Sequence, residues 1–322
     1  MRNTHTMISP GTELALFTGT HIGFSDPEVS WARYPVEPGY AAIGEVIDCR
    51  SVSGPEEGTR VLYYGAHARY GILRPDAMVW TTLPPGSMQD DEGVSYLPLR
   101  FAQIALTAVI ARARPSRYVL TYGAGIVGNL CAQLLRYVPG VEERAVVDLS
   151  PARLAIAREC GIAETLQPDD ISRWIDEATR GAGPDTVVEA TGAPAVVREA
   201  LERVARGGQV VLLGSTRGTV ELNIYKLIHR KLVALIGSHE SLLPARAEDD
   251  SSADIRGSRG WLSAGSQQQA LSGLAEAVST GMIHTKPLVQ EVIAPQDVQA
   301  AYEGLRDHPE KHLGVCIDWQ KS

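Results

Sequence analysis

"VLTYGAGIVGNLCAQLL", residues 119–135, decides the fold. A short apolar run ends at Tyr122, Gly123, Gly125 and Gly128 follow at GxGxxG spacing, and apolar residues then recur at helical intervals. The spacing predicts a strand, a tight turn and a helix. The first glycine permits the turn, the second lets a pyrophosphate approach the backbone, and the third lets helix and strand pack closely. The helix N-terminus then presents unpaired N–H groups to the phosphates. Glycine-rich turns are common, so the context carries the reading. Asp148 closes the next apolar run, "RAVVDL", twenty residues after Gly128. A carboxylate there accepts hydrogen bonds from the ribose hydroxyls of an adenosine and repels a 2′-phosphate. No arginine directly follows it, although Arg153 lies one helical turn on. NAD is therefore favoured over NADP.

Outward from this stretch the pattern alternates. Ser150-Pro151 supplies a capping hydroxyl and a first-turn proline for "ARLAIAREC", which Gly161 stops. "DTVVEATG", "QVVLLGS" and "KLVALIGS" read as further strands, and "PAVVREALERVARGG" as an amphipathic helix between the first two. Strands joined through helices require crossovers, which predicts an α/β fold with a doubly wound parallel sheet. Before it, the first hundred residues are short alternating runs broken by Gly and Pro, such as "GTRVLYYG", and read as β-rich. Residues 97–113 read as a helix leading into the second domain. Residues 239–264 are polar and aperiodic, a long loop of the kind that is functional or mobile. Helices at about 267–280 and 295–307 and strands at "PLVQEVI" and "HLGVCIDW" complete the chain.

The chain has 322 residues, a net charge of −8 and 44% hydrophobic residues. That length suggests two domains, and the charge gives no footprint for nucleic acid or an anionic membrane. No apolar run approaches the ~20 residues that span a bilayer, and the N-terminus lacks a signal-peptide stretch. Cys49, Cys131, Cys160 and Cys316 are far apart and form no CxxC pair, so neither a disulfide framework nor a thiolate zinc cluster is signalled. A cytoplasmic protein acting on a small molecule is expected.

The chain resembles the medium-chain dehydrogenase/reductase, alcohol dehydrogenase-like superfamily. "SPGTEL", "PGYAAIGEV", "GTRV", "YGAGIVG", "VVDLSPARLAIARECG", "VVEATG" and "RGGQVVLLGS" carry the likeness. It implies a GroES-like β-rich catalytic domain over residues 1–98, a Rossmann NAD-binding domain over 99–264, and a return to the catalytic domain over 265–322. The cofactor is then expected in the cleft between domains, held by Gly123, Gly125, Ile126, Val127, Gly128, Asp148, Arg153, Thr191, Gly214 and Ser215. A homodimer through the edge of the Rossmann sheet is also implied. Relatives usually begin with a hairpin ahead of the "GT" motif, which here arrives at residue 11. The expectation is either a start further upstream or a missing hairpin with an exposed sheet edge.

The likeness also exposes a departure. Zinc members carry a cysteine where this chain has Pro10, and a histidine and glutamate where it has Tyr40 and Ala41. The third-ligand region reads "YLPLRFAQ", and the structural-zinc lobe is absent. A catalytic zinc needs three protein ligands, so a zinc-free member is expected, most similar in "ISPGTELALFTG" to the branch containing bacteriochlorophyllide hydroxyethyl dehydrogenase. Without a Lewis acid, charge on the substrate oxygen needs a positioned hydroxyl or cation. Tyr40 stands at the lost ligand's place, and Thr12 matches the hydroxyl that starts the proton relay of zinc relatives. His21, Tyr64 and Arg100 are expected near the cleft, and His239 near the nicotinamide end. The leading expectation is a zinc-independent, NAD(H)-dependent oxidoreductase interconverting an alcohol and a carbonyl, on a sugar or natural-product substrate. The alternatives are a quinone- or enoyl-type double-bond reductase and a non-catalytic nucleotide-binding protein.

Overall fold

The computed structural model describes residues 1–29, 31–84, 91–247 and 260–321. Two compact units emerge: Met1–Arg100 with Pro244–Ser322, and Phe101–Leu243. The chain thus leaves the second unit at 243–244, where the sequence placed the change at 264. Of the expected loop 239–264, residues 248–259 lie outside the described residues.

In the first unit, β1 (Arg2–Met7) leads into a short helix α1 (Thr12–Phe17), followed by β2 (Ala42–Glu45), β3 (Arg60–Tyr63) and β4 (Trp80–Thr82). Helix α2 (Leu99–Ala111) carries the chain into the second unit. There β5 (Tyr118–Tyr122), α3 (Ile126–Leu135), β6 (Glu143–Val147), α4 (Pro151–Glu159), β7 (Glu164–Leu166), α5 (Ile171–Thr179), β8 (Thr186–Glu189), α6 (Pro194–Arg203), β9 (Gln209–Leu212) and β10 (Ala234–Gly237) follow. The return brings α7 (Gln267–Ser279), β11 (Glu291–Ile293), α8 (Val298–Asp307) and β12 (Val315–Asp318).

The second unit's sheet runs β10-β9-β8-β5-β6-β7, every pair parallel. Strand order reverses between β5 and β8, and ligands of such sheets bind outside the carboxyl ends at that point. One face buries Leu120, Val187, Val210, Trp174 and Leu201, and a separate cluster of Ala124, Ala132, Val146, Leu154 and Ala157 buries α3 and α4. Because both faces are covered, β8 is buried throughout. Helix α4 starts as the sequence indicates, with Ser150 Oγ accepting the Arg153 N–H at 3.4 Å and Pro151 in the first turn. Strand β7 and helix α5 escape the sequence reading. Residues 164–166 form too short a run to signal a strand, and the buried Ile171, Trp174 and Ile175 give α5 a helical face the sequence already contained.

A Cβ at Gly128 would stand 1.9 Å from the Gly123 carbonyl oxygen. Gly128→Ala should therefore push α3 off β5 and cost about 1–3 kcal/mol. Urea unfolding reads this directly, and a midpoint unchanged from wild type would refute the close approach.

The first unit's sheet runs β11-β12-β1-β2-β3-β4, antiparallel except for the parallel β11/β12 pair. Strand β1 lies inside this sheet. At the β4 edge, the Trp80 N–H donates to Gln268 Oε1 at 3.1 Å and Gln268 Nε2 donates to the Trp80 carbonyl at 2.5 Å. One side-chain amide from α7 thus satisfies both outward groups of an edge residue. The helical run Gly93–Ala111 passes for a membrane span by length and composition alone, but 78% of its most apolar 18-residue window is buried inside the protein, as in a core helix.

Candidate functional site

In the first unit, the end of β1, the start of α1 and the entry to β2 converge. Gly39 adopts φ +102°, and a Cβ there would lie 2.4 Å from the His67 backbone nitrogen, so only glycine lets the chain turn into Tyr40 here. The half-buried Tyr40 donates its phenol hydrogen to Ser9 Oγ at 2.6 Å. Ser9 Oγ also accepts the Thr12 N–H at 3.3 Å. Arg100, 5% exposed, sits with its guanidinium carbon 5.0 Å from the Tyr40 ring centroid and 4.1 Å from that of Tyr64. Tyr64 in turn donates to Gln267 Oε1 at 3.2 Å. Burial, then the Glu13 carboxylate, push the Tyr40 phenol up to about 12, against smaller lowering effects of Ser9, Arg100 and Thr12. The phenol is a neutral donor across the physiological range.

Glu13, 2% exposed, follows Thr12 on α1. Its Oε1 accepts the Ser9 N–H at 3.2 Å, and its Oε2 accepts Tyr302 Oη from α8 at 2.6 Å and pairs with His67 Nε2 at 2.8 Å. His67 Nδ1 meets Thr6 Oγ1 at 2.8 Å, and the same hydroxyl accepts the Trp319 indole N–H at 3.0 Å. Burial, then Glu13, raise the Tyr302 phenol far above its ordinary value.

This donor set does not fit a catalytic zinc. Pro10 and Ala41 have no ligating atom, and His67 and Glu13 turn their facing atoms on each other, on Thr6 and on Tyr302. Among the described residues no three His, Cys, Asp or Glu side chains gather to hold a metal.

In the second unit, the expected nucleotide residues gather at the carboxyl ends of β5, β6, β8 and β9. Gly125 precedes the first turn of α3, which holds Ile126, Val127 and Gly128. Asp148 Oδ2 accepts the Ala124 N–H at 2.8 Å and Oδ1 accepts the Ser150 N–H at 2.8 Å, so the carboxylate, just past the end of β6, anchors the glycine turn. Arg153 Nη1 stands 3.9 Å from Asp148 Oδ2. Behind Thr191, the buried Glu189 accepts the Thr191 N–H at 2.7 Å and the Gly192 N–H at 3.0 Å, and burial raises its carboxyl. The Gly214 N–H donates to the Glu189 carbonyl at 2.7 Å, which fixes Gly214 and Ser215 beside that loop. These residues fit a dinucleotide: a backbone cradle with glycines at the points of close approach, and a carboxylate at the end of β6.

Of the remaining candidates, Arg100 and Tyr64 join Tyr40. His21 instead accepts the Gly23 N–H and packs on Trp31 and Phe24 within its own loop. His239 is exposed and pairs with Ser241 at 2.8 Å. Ser9, Glu13, His67 and Tyr302 were not anticipated. Glu13 lies inside the quoted "SPGTEL", but His67 and Tyr302 reach it from 54 and 289 residues away, with no local signal.

The zinc-binding dehydrogenase family profile matches residues 127–250. An uncharacterized zinc-type alcohol dehydrogenase-like protein of Escherichia coli is 25% identical over 281 residues, 84% of this chain and 70% of the relative. A probable D-xylulose reductase A of Aspergillus niger is 27% identical over 251 residues, 76% of this chain and 61% of the relative. The matches thus span about two thirds of these relatives' own length. Among solved structures, an alcohol dehydrogenase from Thermotoga maritima superposes with a TM-score of 0.72 at 18% identity, over 98% of this chain and 90% of the other. The fold is that of the medium-chain alcohol dehydrogenases.

Proposed function

We propose that this protein is an NAD(H)-dependent oxidoreductase that interconverts a carbonyl and an alcohol on a small polar molecule without zinc. The xylulose reductase relative supports a polyol or keto-sugar as the substrate class. The observation that carries the reading is the Tyr40 phenol, hydrogen-bonded to Ser9 and stacked on the Arg100 guanidinium, at a position where the resemblance to zinc-dependent dehydrogenases implies a lost ligand.

A bound nicotinamide would supply or accept the hydride. The Gly123–Gly128 turn would receive the pyrophosphate, and Asp148 the adenosine ribose. Tyr40 Oη would give its proton to the substrate oxygen as charge develops there, and Arg100 would temper that charge. Ser9 Oγ would hold the phenol in place through the 2.6 Å hydrogen bond, and water would restore the phenol's proton after the transfer. A phenol raised to about 12 stays protonated near neutrality, so the form that donates to a carbonyl oxygen is the populated one. A screen of keto-sugars and polyols with NADH and NAD tests the reading: keto-sugar-dependent oxidation of NADH is expected, and none with any member of the panel would count against it.

A second copy is proposed to add at β10. That strand ends the parallel sheet, and its Leu235 is 39% exposed. Leu235→Lys should convert a dimer to monomers in sedimentation. A wild type already monomeric at the same concentration would refute the proposal.

A further inference from the structure

Glu189 ends β8 in the second unit, is fully buried, and turns its side chain onto the residues that follow it. Its Oε1 accepts the Thr191 N–H at 2.7 Å, the Thr191 hydroxyl and the Gly192 N–H at 3.0 Å. Thr191 Oγ1 in turn accepts the Ala193 N–H at 3.0 Å, so one carboxyl group satisfies three successive amides, two directly and one through Thr191. Burying a carboxyl group in a parallel sheet is costly unless it is hydrogen-bonded. An apolar residue would suit the strand alone; the glutamate suits the turn.

That turn is tightly boxed. A Cβ at Gly214 would stand 2.4 Å from the Gly192 nitrogen, and one at Gly123 would stand 3.1 Å from Thr191 Cγ2. Gly192 adopts φ +71°, and a Cβ on it would lie 2.8 Å from the Ser215 carbonyl oxygen. The turn is therefore wedged between the glycine turn after β5 and the one after β9, with Glu189 behind it. Strand order assigns it a part of the cradle. The sheet runs β9-β8-β5-β6, with Asp148 past β6 and the Gly123–Gly128 turn past β5. A dinucleotide whose adenosine ribose meets Asp148 and whose pyrophosphate meets the glycine turn would continue across the reversal, over the ends of β8 and β9.

We propose that Glu189 is a positioning residue for the nicotinamide half of the cofactor: its carboxyl group clamps the Thr191–Gly192 turn from behind and fixes the surface that half would lie against. This role rests on the proposed NAD(H) site and not on charge, because any carbonyl oxygen at the Oε1 position accepts the same hydrogens. Glu189→Gln keeps that oxygen. Glu189→Met fills the strand position without it, and Glu189→Asp keeps the acid but draws it back from the turn by one methylene.

The test compares NADH, which spans the cradle, with ADP, which ends at the pyrophosphate. NADH fluorescence and ADP calorimetry give both dissociation constants for each protein. Glu189→Met and Glu189→Asp should bind NADH about tenfold more weakly, the equivalent of one hydrogen bond, and ADP as the wild type does. Glu189→Gln should match the wild type on both. In nucleotide-free protein the Thr191 and Gly192 amides should exchange hydrogen slowly in the wild type and Glu189→Gln, and fast in Glu189→Met. A glutamate that merely stabilises the fold would, when replaced, weaken both nucleotides together, and that result would overturn the inference. So would wild-type NADH affinity in Glu189→Met, or NADH binding by Glu189→Gln as weak as by Glu189→Met. If Glu189→Met does not fold, Glu189→Asp decides on the same criteria. Wild-type protein that binds neither nucleotide would refute the proposed function and this role with it, whereas failure of the role alone leaves wild-type binding of both intact.

Discussion

Tyr40→Phe should lower turnover in the reducing direction by about 10²–10⁴-fold, the usual worth of a positioned proton donor, while NADH affinity stays unchanged. The substitution removes one oxygen and leaves the ring over Arg100, so the cation keeps its aromatic neighbour. Its structural cost is one hydrogen bond to Ser9, about 1 kcal/mol. A fall in rate without loss of fold therefore separates proton donation from packing, and wild-type turnover would end Tyr40's proposed role. The pH dependence has a definite sign. Reduction needs the protonated phenol, and burial with Glu13 moves its ionisation from 10 to about 12. The rate should show no Tyr40-dependent decline at the ordinary tyrosine value and should fall only as pH approaches 12. Stability carries the same sign: the unfolded chain loses this proton before the folded one, so the contribution is full below pH 10 and is lost as pH rises through about 12.

The second large effect is expected at Asp148. Two charge-assisted hydrogen bonds to a ribose, at about 1.5 kcal/mol each, amount to roughly a hundredfold in affinity, so Asp148→Ala should weaken NADH binding by about that factor. NADPH should lose far less or gain, because the carboxylate that repels a 2′-phosphate is gone and Arg153, 3.9 Å from it, is released to meet that phosphate. Fluorescence titration with both nucleotides measures this. Equal weakening of the two would mean that Asp148 acts only by anchoring the glycine turn through the Ala124 N–H.

How far the sequence reveals these features follows from how local they are. The glycine turn, Asp148 and the Ser150 cap are written within thirty residues, and steric and hydrogen-bond rules fix their conformation wherever the sheet forms. Tyr40 is legible only because a resemblance marks its position as one where other chains place a ligand. The Glu13 cluster is not legible. It assembles Thr6, Glu13, His67, Tyr302 and Trp319 from five separated places, and only the return of the chain through α8 and β12 brings the last two to the first three. Edge protection at β4 has the same character: nothing near Gln268 announces that its amide will pair with Trp80.

The most direct measurement is hydride transfer by protein stripped of metal. Exhaustively chelated protein, its metal content verified by mass spectrometry, would be incubated with deuterium-labelled NADH and a panel of keto-sugars, and deuterium followed into the alcohol products. The predicted result is transfer at a rate unaffected by chelation and slowed about 10²–10⁴-fold by Tyr40→Phe. Transfer that appears only after zinc is restored, or that is undiminished in Tyr40→Phe, would contradict the account.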